Sequence, residues 1–319
     1  MILKTKILKN TKANIKLTAN LLQEDSIVGI PTETVYGLGG RGDSDKVIKK
    51  IYKIKKRPYD KPLILHYKDS TLALNDLNVD ERAIELAKKF WPGALTIVAN
   101  IKSKSVSKLA TANLKTLAVR VPSNKTLKSL LIQLDFPLAA PSANMYGKIS
   151  PTSANDVLEE LKSKIPIILD GGSSPIGIES TVIDLSTNKT KILRHGYISK
   201  SEIEKVLNLK LDRSNKGKIF RSPGLDLNHY QPNIPVRINA KKQLSNEGWL
   251  GFGKIDISCK SPSMSLSKKK CLKEASRNLY KMLRILDKKK ITTIAVQKIP
   301  KKGLGLALND RLFKASKKK

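Results

Sequence analysis

Between Pro31 and Tyr36 the chain reads PTETVY, placing the hydroxyls of Thr32, Thr34 and Tyr36 beside the carboxylate of Glu33. Gly37, Gly39 and Gly40 follow at once, and glycine permits both unusual backbone conformations and close approach by a ligand. An apolar run precedes the stretch and a charged helical pattern follows it, so it is expected to be a polar loop at a strand end. That is where open α/β sheets bind ligands. Further along, Lys55 and Arg57 stand two apart at a predicted helix end, and Arg194 closes a predicted strand. Ser142 and Asn144 share a loop, with Ser150 beyond them. An arginine presents a planar fork to phosphate or carboxylate, whereas lysine is a point charge. No Walker A sequence is present, so phosphate would have to be met by such dispersed cations and hydroxyls. Arg120 lies inside the apolar segment Leu117-Ala-Val-Arg-Val121, where a guanidinium needs an anion to offset its desolvation. His66 ends another apolar segment.

Each of these residues also has a plain structural reading. Lys55 fits a solvated helix face, Arg120 a core ion pair, and His66 a hydrogen-bonded core histidine. Ser142 and Asn144 fit a turn or helix cap, and PTETVYGLGG a strand-to-helix turn. Gly37, Gly39 and Gly42 match G-x-G-x-x-G, but the dinucleotide fold runs a strand straight into its glycines and ends the next strand in an acid. Here PTETVY intervenes and the next strand ends in His66, so the match is set aside. Arg41-Gly-Asp43 is likewise given no adhesive role.

The elements that would position these residues alternate. Helices are predicted over 15–22, from a cap at Asp43 or Ser44 to before Pro58, and over 80–90, 125–134, 153–161 and 201–207. Strands are predicted over 26–30, 62–67, 95–99, 117–121, 137–140, 165–169, 180–185 and 191–193. Some strands follow one another directly, so the expected architecture is a twisted open α/β sheet, largely parallel but mixed, over residues 1–207. Residues 208–237 are polar and rich in turn signals and are expected to form a linker. A small Rossmann-like α/β unit is expected over 238–319, with strands at 248–252 and 291–296 and helices at 268–286 and 306–315.

At 319 residues the chain can bury a large core in two units. Its net charge of +34 raises the case for nucleic acid, and contact with tRNA or double-stranded RNA is allowed by it. The lysines are spread along the whole length among many Ile and Asn, which favours compositional drift as the main cause. Aromatics make up 5%, leaving little for base stacking. Cys259 and Cys271 suit neither a zinc knuckle nor a disulfide framework, and His66, His195 and His229 lack metal-ligand spacing, so no protein-held metal is expected. No apolar run approaches the roughly 18 residues of a membrane span, and the N-terminus does not read as a secretory signal. A cytoplasmic address is therefore expected, with no membrane partner.

The series of motifs resembles the threonylcarbamoyl-AMP synthase family, whose catalytic part is a YrdC-like domain. It comprises PTETVYGLG (31–39), Lys55-x-Arg57, PLILH (62–66), FWPGALT (90–96), AVRVP (118–122), AAPSAN (139–144), ISPT (149–152), DGG (170–172), ESTV (179–182) and LRHG (193–196), in the family's order. SPG and HYQP between 222 and 232, SRNLYKMLRILD (276–287) and GLGLALNDRLFKAS (303–316) resemble the long form with a second domain.

The resemblance implies a nucleotidyltransferase that makes L-threonylcarbamoyladenylate and pyrophosphate from L-threonine, bicarbonate and ATP, with Mg2+ accompanying ATP. A downstream transferase complex would pass the group to a tRNA adenosine next to the anticodon. By motif position, Thr34, His66, Arg120, Ala140 and Ser180 would bind threonine. Arg57, Lys61, Thr116, Ser142, Ser150, Arg194 and Tyr230 would bind ATP, while Lys55, Arg57 and Asn144 would serve catalysis. Glu33 or a water would take the proton of the threonine amine, and the linker, through Tyr230, would cover the site. Lys61 replaces the family's usual asparagine, and Asp226-Leu227-Asn228 replaces its usual Lys-Tyr-Arg run. A non-catalytic RNA-binding protein with the same domain is the alternative.

Overall fold

The computed structural model describes residues 4–211, 229–255, 260 and 262–317. Most of the expected linker, the tripeptide 226–228 and Cys259 lie outside the described residues. The first unit runs β1 (Lys6–Lys9), α1 (Lys12–Gln23), β2 (Val28–Ile30), β3 (Gly37–Arg41), α2 (Asp45–Lys55), β4 (Ile64–His66), α3 (Ser70–Asn75), β5 (Leu77–Asn78), α4 (Glu81–Phe90) and β6 (Leu95–Ile101). It continues through β7 (Thr116–Arg120), α5 (Lys125–Leu131), β8 (Leu138–Ala139), α6 (Ala154–Leu161), β9 (Ile167–Asp170), β10 (Thr181–Asp184), β11 (Lys191–Arg194) and α7 (Lys200–Leu207). The second unit holds β12 (Val236–Ala240), β13 (Glu247–Gly251), β14 (Ser263–Ser265), α8 (Leu272–Asp287), β15 (Thr293–Gln297) and α9 (Gly305–Ala315).

The large sheet is mixed, in the order β1-β9-β2-β3-β8-β4-β7-β6-β10-β11, with β5 against β6. The joins β1–β9, β9–β2, β4–β7 and β6–β10 are parallel, and β6–β7 and those made through β3, β8, β11 and β5 are antiparallel. Parallel joins are thus fewer in this sheet than the expected weighting. The small sheet, β12-β15-β13-β14, is wholly parallel.

One expectation is corrected locally. Gly37, Gly39 and Gly40 were expected in a loop, and they form β3, antiparallel to β2. None of the three has a positive φ. A Cβ on Gly40 would stand 2.5 Å from Val47 Cγ1, and one on Gly39 2.9 Å from Ile30 Cδ1. These glycines admit α2 and the neighbouring strand to the sheet, a recognised use of glycine inside strands.

The helices start where their caps dictate. Ser44 accepts from Val47 N at the start of α2, and Ser153 forms a capping box with Asp156 at α6. Val47, Ile48, Ile51 and Tyr52 bury one face of α2 against the sheet, which carries Lys55 inward on the same face. A second apolar cluster joins the units: Val35, Ile149 and Ile178 pack with Tyr230, Leu279, Tyr280 and Leu283.

Candidate active site

The site lies at one end of the large sheet. His66 and Arg120 are register partners at the C-terminal ends of the parallel strands β4 and β7. β8 lies on the other side of β4 and delivers Ala140, whose N–H donates to Ile64 O at 3.1 Å. The chain then passes to Ser142, which bridges Gly37 at the start of β3. Ser180 precedes β10, and its hydroxyl is 2.8 Å from that of Thr96 in β6. These segments line one pocket at the sheet end. Of the residues expected at a site, Thr34, Arg57, His66, Arg120, Ala140, Ser142, Ser180, Arg194 and Tyr230 line it together.

Arg120 has found its anion. Its Nη2 is 2.6 Å from Glu33 Oε1, Nη1 donates to Thr34 Oγ1 at 2.9 Å, and Nε donates to Gly93 O at 3.0 Å. A guanidinium carries five N–H donors, and these three contacts do not exhaust them. The core ion-pair reading therefore holds for Glu33, while Arg120 also faces the cavity. Burial works to raise the Glu33 pKa, but the Arg120 guanidinium outweighs it and holds the carboxyl below its usual range. Glu33 does not line the cavity and is a weaker base in this pairing, which favours water, the other expected acceptor of the amine proton.

His66 is buried, and its Nδ1 has no hydrogen-bond partner among the described residues. Burial first, and Arg120 second, lower its pKa to about 3. The ring is neutral at working pH and has polar capacity left for a ligand. The plain reading of a hydrogen-bonded core histidine leaves that nitrogen unexplained.

Lys55 and Asn144 stand behind the cavity wall. Lys55 Nζ donates to Ser142 O and Asn144 O, both at 2.5 Å. Burial, then the charge of Arg57, draws its pKa well below the ordinary lysine value. Asn144 Nδ2 donates to Met145 O at 2.8 Å and Lys148 O at 2.9 Å. The pair thus folds the 142–148 loop; neither residue belongs to the lining. Arg57 donates through Nε to Lys61 O and through Nη2 to Pro62 O, each at 3.1 Å, so Lys61 contributes its backbone. Its ammonium lies 3.8 Å from Asp60 Oδ2. Thr116 shares a face with Arg120 at the opposite end of β7, with Ala118 between them, and is not brought to the cavity. Ser150 donates to Glu179 Oε1 at 2.7 Å and sits one residue behind the lining.

Sequence reasoning assigned no role to Glu179 or His229, yet both line the cavity. Glu179 sits in the quoted ESTV motif, and His229 immediately precedes Tyr230. Glu179 also accepts from Tyr280 Oη at 2.9 Å and Arg311 Nε at 2.9 Å, both from the second unit. His229 is buried, its Nδ1 has no hydrogen-bond partner among the described residues, and burial lowers its pKa to about 3. Its ring lies 4.1 Å from that of Tyr230, whose φ is +63°. Among the described residues no group of three or more His, Cys, Asp or Glu could hold a metal ion. No described helix is long and apolar enough to cross a membrane.

Comparison with known proteins places the chain in a family. Residues 20–196 match a family model described as "Telomere recombination", and residues 198–317 match one described as "Threonylcarbamoyl-AMP synthase, C-terminal domain". The chain is 37% identical to the threonylcarbamoyl-AMP synthase of Bacillus subtilis over 328 residues, covering 97% of this chain and 94% of the relative. It is also 37% identical to that of Pyrococcus abyssi over 324 residues, covering 95% and 94%. The solved structure of P. abyssi Sua5 complexed with L-threonine superposes with a TM-score of 0.88 at 35% identity, covering 98% of this chain and 97% of that one. By sequence and by fold, over almost its whole length, the chain belongs to the threonylcarbamoyl-AMP synthase family.

Proposed function

We propose that the cavity forms L-threonylcarbamoyladenylate and pyrophosphate from L-threonine, bicarbonate and ATP. The observation that carries this is the register pairing of His66 with Arg120 at adjacent strand ends, in one cavity with Ser142, Arg194 and Tyr230. The spare donors of Arg120 take the threonine carboxylate, and neutral His66 meets its hydroxyl. Thr34, the Ala140 backbone and Ser180 complete that side. Arg57, Ser142, Arg194 and Tyr230 hold ATP, with Lys61, Ser150 and Thr116 further from it.

The ammonium group of bound threonine loses a proton to solvent, and the free amine bonds to the carbon of bicarbonate, which leaves its third oxygen as water, giving a carbamate. A carbamate oxygen then attacks the α-phosphorus, and the bond to the bridging oxygen breaks to release pyrophosphate. Such transfer needs positioning and charge neutralisation more than a covalent nucleophile. Mg2+ enters as part of the nucleotide substrate, bound to its phosphates. Lys55 and Asn144 act by holding the 142–148 loop. The adenylate then passes to a transferase complex that modifies tRNA in the cytoplasm, and the basic surface permits transient contact with that RNA. The curated relatives lend no support to a non-catalytic RNA binder.

The test is pyrophosphate release from ATP by the purified chain. Release that needs both threonine and bicarbonate supports the reading; release indifferent to either, or none, refutes it.

A further inference from the structure

Glu179 places a carboxylate in the wall of a cavity read here as taking a triphosphate, where an unneutralised anion would oppose binding. Its counter-charge comes from the second unit. Arg311, in α9 and 1% exposed, sets Nε 2.9 Å from Glu179 Oε2. The same guanidinium lies over the Tyr230 ring, 5.1 Å from its centroid, and Tyr230 stacks on Tyr280 at 5.7 Å. One arginine that is not itself in the lining thus holds two residues that are. The neighbouring cation of the first unit, Arg194, is engaged elsewhere: Nε donates to Ser180 O and Nη2 to Ser180 Oγ, both at 3.1 Å.

We infer that Arg311 is a positioning residue for the synthesis, neutralising Glu179 so that Arg194 stays on Ser180 and Tyr230 stays against the cavity. The inference rests on the proposed reading of the cavity as the nucleotide and threonine site. It gives the second unit a defined part in catalysis, because the first unit alone leaves a buried carboxylate competing for Arg194. Breaking one partner of a buried pair is costly because it strands the other.

The groups facing Glu179 set the signature. They are Ser150 from the first unit, Arg194 from β11, His229 and Tyr230, Tyr280 from α8 and Arg311 from α9, with Asp310 and Lys314 flanking Arg311. Burial raises the Glu179 pKa, but Arg311 and then Arg194 outweigh it and bring it to about 2. Without Arg311 the carboxyl titrates higher, so the defect should be worst at alkaline pH and shrink as pH falls.

The experiment compares full-length wild type with Arg311→Met, Arg311→Lys, Glu179→Gln and the Glu179→Gln/Arg311→Met double variant, measuring pyrophosphate release from pH 6 to 9. Wild-type turnover dependent on threonine and bicarbonate is the control that tests the underlying reading separately. Arg311→Met should raise KM for ATP about tenfold or more at the alkaline end, Arg311→Lys should retain most activity, and Glu179→Gln should relieve most of the Arg311→Met defect. If Arg311→Met does not fold, the double variant decides, and it should match Glu179→Gln within about threefold. A folded Arg311→Met with unchanged KM for ATP overturns the inference. So does a defect that is independent of pH and untouched by Glu179→Gln, or a double variant far worse than Glu179→Gln.

Discussion

The guanidinium of Arg120 stands 2.6 Å from the carboxylate of Glu33, with both side chains almost wholly excluded from solvent. The pair lets a positive charge sit at a strand end inside an apolar sheet while its remaining donors face the cavity. Removing Arg120 alone strands the carboxylate, so Arg120→Met should cost about 3–5 kcal/mol of stability. Glu33→Gln/Arg120→Met should regain much of that loss, as seen in denaturant unfolding midpoints. A single variant as stable as wild type would contradict the pairing.

Two buried histidines should dominate the onset of acid sensitivity. His66 and His229 are held neutral, with pKa lowered to about 3. The unfolded chain binds a proton near pH 6.5 and the folded one does not. Stability therefore falls as pH drops below 6.5, by roughly 2 kcal/mol per histidine by pH 5. Glu179, lowered to about 2, contributes stability above about 4.5 that is lost only below it. Thermal unfolding between pH 7 and 5 checks this, and His66→Gln/His229→Gln should flatten the slope. An equally steep slope in that variant would show that other groups are responsible.

Lys55 and Asn144 should act as one unit. Both fold the 142–148 loop, one through carbonyls 142 and 144 and the other through carbonyls 145 and 148. Lys55→Met and Asn144→Ala should each weaken ATP binding and lower stability by about 1–3 kcal/mol. Their combination should be non-additive by at least about 0.5 kcal/mol. Additive effects would separate the two roles.

Gly40 should tolerate no side chain. Its added Cβ would meet Val47 Cγ1 at 2.5 Å, so Gly40→Ala should destabilise by about 1–3 kcal/mol. Relief by Val47→Ala in the same chain, read from thermal midpoints, would identify the clash. No relief would place the strain elsewhere.

The sequence made the chemistry more legible than the packing. Arg120 was recognisable because a guanidinium in an apolar segment must be satisfied by something, and His66 and Arg194 because they end apolar segments; Ser142 stood out on a polar loop, and Ser180 and Tyr230 were legible only through the family resemblance. The strand Gly37–Arg41 was not, because glycine is depleted from strands on average and the reason for it here, close approach of α2, is tertiary. Arg57 was legible as a cation, but its tether to carbonyls 61 and 62 was not. Arg311 and Tyr280 sit on ordinary amphipathic helices, and nothing local marks which of their polar residues turns inward to meet Glu179. Thr116 illustrates the reverse: motif position favoured it, but the length of β7 keeps it from the cavity.

The central claim is that threonine is grasped through Arg120 beside an independently bound nucleotide. Titration calorimetry of L-threonine and of Mg-ATP into wild type and Glu33→Gln/Arg120→Met tests it directly. Wild type should bind both, and the variant should lose the threonine heat while keeping ATP affinity within about threefold. Undiminished threonine binding by the folded variant, or a wild type that binds neither ligand, would contradict the account.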